Sequence, residues 1–263
     1  MKKTLSEPLA NFLRYKDTPW GRLFYELVWH QLDELQGDVS DETPRGLRGK
    51  HILDFGSGFG VTAEHLAQHN AVTAVEPNEE MVENRLCQWE YTQILGGLEW
   101  LKSQPSETFD VILYHNVLEY AGEREAILAE FARVLKPEGV VSIVKHNRMG
   151  KIMQKAVFEY KPEEVLTLLR GEDVASQSFG MIQEYEDEEL EVYAKDKLKI
   201  DRCFGIRVFY ALQSNDLKTG ADWKDNMMQL ECAAAEIPEL RNVAFFHHVI
   251  LKKVQKGRET NDI

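Results

Sequence analysis

Leu23, Leu27, Val28 and Leu32 recur at helical spacing, with Phe24, Tyr25 and Trp29 among them, so residues 20–36 are predicted to form an amphipathic helix. Residues 37–49 are rich in turn formers and read as a linker. From there short apolar runs alternate with helix-period segments. Residues 51–55, 71–75, 93–95, 109–114 and 140–145 read as strands, and 61–69, 79–89 and 124–135 as helices between them. The run over 109–114 is apolar but for Asp110, as strands buried on both faces of a parallel sheet are. Lys136-Pro137-Glu138-Gly139 carries a helix-end and turn signal. This order predicts an α/β architecture, a mostly parallel sheet with helices on both faces.

Beyond residue 150 the alternation stops. Residues 151–200 are charged and mostly helix-forming, and read as a helical insertion or cap. Their acidic run, Glu184-Tyr185-Glu186-Asp187-Glu188-Glu189, reads as solvated surface. Segments 205–211 and 243–252 are predicted to be two closing strands flanking a helix over 222–236, which brings the sheet to seven strands. The expected plan is an N-terminal helical lid and linker (1–49), a core (50–150), the cap (151–200), closing elements (201–255) and a disordered tail (256–263).

Composition narrows the function. The 263 residues are 43% hydrophobic, enough for a sizeable core. A net charge of −13 argues against coating nucleic acid by charge alone. A local basic cluster, Lys145, His146, Arg148, Lys151 and Lys155, is either a patch beside the functional edge or a solvated helix face. Cys87, Cys203 and Cys232 are odd in number and lack C-x-x-C spacing, so neither a disulfide framework nor a metal site is expected. No apolar run approaches the roughly 20 residues of a membrane helix, and residues 1–13 lack the apolar core of a signal peptide. The expected location is the cytoplasm.

The chemistry concentrates after the first strand. Asp54 ends it, and Gly56, Ser57, Gly58 and Gly60 follow before a helix. A glycine turn there lets the backbone approach a ligand, and the helix start offers free N–H groups to an anion. Glu76 ends the second strand, where a carboxylate can accept from both hydroxyls of a ribose. Together they describe a nucleoside cofactor. The loop reads G-x-G-x-G, and Val61 stands where the dinucleotide fingerprint has its third glycine, which disfavours a nicotinamide oxidoreductase.

Residues 52–60 resemble motif I of class I methyltransferases, Val75-Glu76-Pro77-Asn78 with Met81 resembles motif II, and residues 109–120 resemble the fourth-strand motif. Leu135-Lys136-Pro137-Glu138-Gly139-Val140 resembles the turn before strand five. The resemblance implies the Rossmann-like class I methyltransferase fold and S-adenosylmethionine as cofactor. Segments 21–33, 115–120, 146–150 and 205–209, with Leu230-Glu231, are similar to the bacterial tRNA 5-carboxymethoxyuridine methyltransferases, which implies a carboxylate acceptor on a wobble uridine and tRNA as partner. Methylation of a small metabolite and a non-catalytic cofactor-binding module are the alternatives. Phe24 stands where that family has a cofactor-binding arginine, with Arg22 the nearest substitute, and the adenine position falls on Gly97 or Leu98, which leaves the adenine to the backbone, to the adjacent Glu99 or to neither.

The expected cofactor contacts are therefore Tyr15, Arg22, Asp54, Gly56, Ser57, Gly58, Gly60, Glu76, Pro77, Gly97, Leu98 and His115. Tyr15, Trp20 and Arg22 are read as a lid or a packed aromatic helix end. A sulfonium is already a good leaving group, so a carboxylate acceptor needs no base, whereas a hydroxyl or amine benefits from one. His115, His146 and Arg207 are the candidates for catalysis, each with a structural alternative: an adenosine contact, a strand end and an ion pair. Arg207 is the candidate for a substrate carboxylate, because guanidinium matches it bidentately. Glu119 is read as bracing the following helix.

Overall fold

The computed structural model describes residues 6–36, 46–172 and 183–254; residues 37–45 of the expected linker and the tail over 256–263 lie outside them. Two helices lead, α1 (Glu7–Lys16) and α2 (Pro19–Asp33), the second continued by a 3-10 turn over Glu34–Gln36. The start of α2 is fixed by Thr18, whose side chain accepts from the Gly21 N–H at 3.0 Å, and by Pro19 in the first turn. Then follow β1 (His51–Phe55), α3 (Val61–Ala67), β2 (Ala71–Glu76), α4 (Glu79–Glu83), β3 (Thr92–Leu95), α5 (Leu98–Lys102), β4 (Phe109–His115), α6 (Arg124–Val134) and β5 (Leu135–His146). The cap is α7 (Arg148–Met153), a π turn over Gln154–Phe158, α8 (Pro162–Leu169) and α9 (Glu189–Tyr193). The chain closes with β6 (Leu198–Ile206), α10 (Trp223–Ala234), α11 (Pro238–Arg241) and β7 (Phe246–Lys253).

The seven strands lie in the order β3-β2-β1-β4-β5-β7-β6. The five strands from β3 to β5 pair in parallel, and β7 runs antiparallel to both β5 and β6. The order reverses between β1 and β4, so their carboxyl ends open the crevice where ligands bind in such sheets. Alternate residues of each strand feed two cores. Ile52, Val111, Leu113 and Val144 pack under α2, with Leu23, Leu27 and Leu32. Leu53, Ile112, Tyr114 and Ile143 face the other way, under α6, with Leu128 and Phe131.

Three expected elements shift, each for a tertiary reason. The helix expected over 79–89 stops at Glu83, because the Leu86 N–H turns away to the Phe59 carbonyl at 2.9 Å. Strand five starts at Leu135, which pairs with Phe109; the Pro137–Gly139 turn signal sits at the following register shift, inside the strand. The strand expected over 205–211 is instead Leu198–Ile206, paired from Leu198↔Lys253 to Ile206↔Phe246. It is an edge strand carrying Lys199, Asp201 and Arg202, a polar pattern that reads as cap.

The acidic run is not solvated surface. Tyr185 is buried at 5% exposure and stacks beneath the Arg124 guanidinium, 4.9 Å from its ring centroid. Asp187 bonds Lys145 at 2.9 Å and His247 at 2.7 Å, and these two bonds hold its carboxyl well below the usual range despite the opposing effect of burial. Glu184 bonds Arg148 at 2.6 Å and Lys151 at 2.9 Å. Asp187 thus latches the run to β5 and β7, and Lys145, Arg148 and Lys151 of the basic cluster are taken up by the run, while His146 and Lys155 pair with other acids. Phe131, fully buried and edge-on to Phe55 at 5.5 Å and Tyr114 at 5.2 Å, is central to the second core. Phe131→Ala is expected to cost about 3–5 kcal/mol in urea unfolding.

Candidate functional site

A cavity of about 740 Å³ opens at the carboxyl ends of β1, β2, β4 and β5. Its floor is built by the loop after β1. Gly56, Gly58 and Gly60 have φ of 78°, 56° and 74°, the left-handed region that favours glycine. At Gly56 a side chain would collide with Val117, so the loop after β4 closes directly over it. Gly60 is kept small by Tyr91, whose hydroxyl occupies that side. The Gly56 N–H donates to the Val75 carbonyl at 2.7 Å, tying the loop to β2.

Glu76 completes the tie. One carboxylate oxygen accepts from the Gly58 N–H at 2.8 Å and the other from the Asn78 N–H at 2.9 Å. Asp54 lies beside it at 5% exposure. Burial, and then the neighbouring Glu76 charge, push the Asp54 carboxyl up to about 7. Burial also raises Glu76, against the two backbone hydrogen bonds. Neither acid has a cationic partner among the described residues. The buried Ser57 hydroxyl has no partner either. Two buried acids, an unpaired hydroxyl and an open glycine turn fit a cationic, hydroxyl-bearing ligand such as S-adenosylmethionine.

The other end of the cavity carries different groups. His115 ends β4; burial lowers its imidazole to about 3, so it is neutral. His146 ends β5. Glu119, in a 3-10 turn over Leu118–Tyr120, accepts from the His146 backbone N–H at 2.8 Å and lies 3.2 Å from its Nδ1. Burial opposes ionisation of Glu119, but the bonds to His146 outweigh it and hold the carboxyl below its usual range. The Glu119–His146 pair is therefore a carboxylate–imidazole dyad with Nε2 left over. The reading of Glu119 as a helix brace missed it. Parallel pairing of β4 and β5, His115↔Val144, carries the loop after one to the end of the other.

Arg207 follows β6 with φ 64°. A non-glycine residue held there costs free energy and is found at functional sites. The strain is sustained by Glu231 of α10, fully buried, whose carboxylate accepts from the Val208, Phe209 and Tyr210 N–H groups at 2.8, 2.8 and 3.1 Å. The guanidinium lies over the Phe245 ring at 4.3 Å from its centroid, with Tyr210 at 5.3 Å and Phe246 at 5.5 Å. Its Nε is buried without a partner, and no acid pairs with it among the described residues. His146 flanks the same two phenylalanines, at 5.7 and 4.7 Å between ring centroids, so both groups face one end of the cavity. The mouth is balanced in charge: Lys151 pairs with Glu184, and Lys155 and Lys161 each pair with Glu159 and Glu164.

Of the residues expected from the sequence, Tyr15, Asp54, Gly56, Ser57, Gly58, Glu76, His115, His146 and Arg207 line this one cavity. Arg22 faces a neighbouring cleft of about 250 Å³ with Lys16, Trp29 and His65. Pro77 is exposed, Gly97 and Leu98 start α5 outside the lining, and Gly60 lies behind it. Phe12, Tyr25, Thr62 and Asn116 also line the cavity, brought there by tertiary packing.

Residues 53–143 match the family described as a methyltransferase domain. A ubiquinone biosynthesis O-methyltransferase of Neisseria meningitidis is 29% identical over 153 residues, 54% of this chain and 63% of that protein. The tRNA 5-carboxymethoxyuridine methyltransferase of Escherichia coli is 26% identical over 154 residues, 54% of this chain and 57% of that protein. The matched region thus spans less than two thirds of these relatives. Among solved structures, the PH0226 protein of Pyrococcus horikoshii superposes with a TM-score of 0.59 at 15% identity, over 95% of this chain and 100% of that one. An S-adenosylmethionine-dependent methyltransferase of Archaeoglobus fulgidus does so at 0.55 and 15%, over 94% and 100%. These likenesses show the shared fold, with its mostly parallel seven-stranded sheet. Among the described residues no helix is long and apolar enough to cross a membrane.

Glu231→Ala strands three N–H donors, two of them buried, so it is expected to lower stability by about 3 kcal/mol or more in urea unfolding, while the exposed neighbour change Leu230→Ala stays within about 0.5 kcal/mol.

Proposed function

We propose that this chain, whose residues 53–143 are a class I S-adenosylmethionine-dependent methyltransferase domain, transfers a methyl group to the carboxylate of a modified wobble uridine in tRNA. The observation that carries the acceptor class is Arg207, a guanidinium in the cavity with no acid partner among the described residues. Its charge is felt by Lys218, whose amine is held down to about 8 by burial and then by Arg207. A carboxylate would satisfy the guanidinium bidentately. The similarity to the tRNA 5-carboxymethoxyuridine methyltransferase supports the uridine as its carrier. The same reading implies a cytoplasmic protein.

S-adenosylmethionine, when bound, supplies an electrophilic methyl on a sulfonium. Asp54 and Glu76 offer the negative charge and hydrogen-bond acceptors for its cationic and ribose ends, and the Gly56–Gly60 turn, with Ser57, lets its backbone come close. Tyr15, Gly97 and Leu98 join this reading as contacts made on binding, with Arg22 and Pro77 at its margin. Arg207 orients the acceptor carboxylate, and Phe245 and Phe246 exclude water around it.

The Glu119–His146 dyad favours a second reading, O-methylation of a hydroxyl on a small acidic metabolite. There His146 Nε2 would take the hydroxyl proton while Glu119 holds Nδ1–H. The charge-balanced mouth also suits a small acceptor better than a polyanion.

Incubation with labelled S-adenosylmethionine and tRNA from a strain lacking the gene distinguishes the readings: label in a uridine nucleoside, released by mild base as from an ester, is expected. Label confined to small molecules, together with loss of turnover in His146→Ala, would establish the second. Arg207→Gln is expected to lower kcat/KM for the acceptor by about tenfold to a hundredfold, the worth of a charge-assisted hydrogen bond of about 1.5–3 kcal/mol, with cofactor affinity unchanged. Cofactor binding is expected to depend on pH. A bound cation favours ionised Asp54, whose carboxyl sits up at about 7, so affinity is full above pH 7 and falls by up to about tenfold per unit below it. Asp54→Asn removes that slope in calorimetric titration.

A further inference from the structure

Behind the cavity wall a line of polar side chains crosses the core that α2 covers. His115 Nε2 lies 2.7 Å from Ser142 Oγ, which lies 2.7 Å from His248 Nε2. His248 Nδ1 lies 2.8 Å from Gln31 Oε1, and the Gln31 amide nitrogen donates to the Gly205 carbonyl at 3.3 Å. Ser142 and His248 are fully buried and Gln31 is 2% exposed. The line runs from β4 through β5 and β7 to α2, and ends on the backbone of β6. Three buried polar side chains in an apolar core are costly unless each is satisfied.

The line has a direction, because its far end is a carbonyl that only accepts. The Gln31 NH₂ faces Gly205, so its Oε1 faces His248 and accepts. His248 therefore carries its proton on Nδ1 and offers a lone pair at Nε2. The Ser142 hydroxyl must donate there, which leaves its oxygen to accept from His115. His115 therefore carries its proton on Nε2, and the bare Nδ1 belongs to the side chain's face on the cavity. Burial holds both imidazoles neutral, so neither acquires the second proton that would reverse the pattern.

We infer that Gln31, His248 and Ser142 are positioning residues that lock His115 as the Nε2–H tautomer, so that its Nδ1 is an obligate hydrogen-bond acceptor for a hydroxyl or ammonium of the bound cofactor. Only the last clause rests on reading the cavity as the S-adenosylmethionine site. The lock excludes two other roles. A neutral His115 adds no positive charge to a site that must hold a sulfonium, and an Nδ1 aimed at a cofactor donor is not a base for the acceptor. Selection is also built in: a ligand that presents an acceptor at this point leaves two lone pairs facing each other.

The test uses the intact protein labelled with ¹⁵N-histidine and, as ligand probe, S-adenosylhomocysteine. Long-range ¹H–¹⁵N spectra of the free protein are expected to show His115 protonated on Nε2 and His248 on Nδ1. Ser142→Ala is expected to mix the His115 tautomers and raise the S-adenosylhomocysteine Kd about fivefold to tenfold, with Ser142→Thr, which keeps the hydroxyl, restoring both. Gln31→Leu tests the chain from its other end and is expected to mix the His248 tautomers. A His115 proton on Nδ1 in the unaltered protein overturns the inference. So does a folded Ser142→Ala protein whose tautomer and Kd are both unchanged. Failure of the unaltered protein to bind S-adenosylhomocysteine, with the tautomers as stated, overturns the cofactor reading and the acceptor role of Nδ1, and leaves the lock standing.

Discussion

The two hydrogen bonds that Glu76 accepts, from the N–H groups of Gly58 and Asn78, are the constraint on which the site depends. They join the turn after β1 to the turn after β2, so two separate loops become one rigid floor. Because both carboxylate oxygens are engaged, Glu76 stays ionisable at depth, and its charge adds to the burial that raises Asp54. A floor with one pinned carboxylate and one reluctant carboxyl is short of positive charge. A sulfonium or ammonium supplies it, which is the electrostatic form of a preference for this cofactor.

The opposite end has the reverse imbalance. Arg207 is held in a strained conformation by the bonds of Glu231 to three successive N–H groups, and it faces aromatic rings rather than an acid. Cations of the cap and of the strand beside it are paired instead: Lys145 with Asp187, Arg148 and Lys151 with Glu184, Lys155 with Glu159 and Glu164. A chain of net charge −13 has acids to spare, and the guanidinium left without one in the cavity is the place proposed for the acceptor's carboxylate. The ion pairs of the acidic run serve another purpose, closing the cap onto β5 and β7 so that the cavity has a roof.

Much of the core was legible. Mostly apolar runs ending in Asp54, Glu76 and His115 identify parallel strands, and the G-x-G-x-G turn points to a ligand at their carboxyl ends. The misread elements share a cause. Pro137 and Gly139 carry turn chemistry, yet Leu135 pairs with Phe109 and the strand absorbs the turn as a register shift. Residues 198–204 alternate as an edge strand does, but their charges resemble those of the cap before them. The acidic run looks solvated because its partners, Lys145, Arg148, Lys151 and His247, are 33 to 60 residues away in the chain.

By itself the sequence determined the strand and helix order of the core, the glycine turn with Asp54 and Glu76 beside it, and the candidacy of Arg207, because each is written in local spacing or residue type. Only the tertiary structure decided that Glu119 holds His146, that Glu231 holds the Arg207 loop, and that Gln31, His248 and Ser142 stand behind His115. These depend on which strands lie side by side and on the direction of hydrogen bonds across them. No local pattern encodes a contact such as that between Gln31 and His248, 217 positions apart.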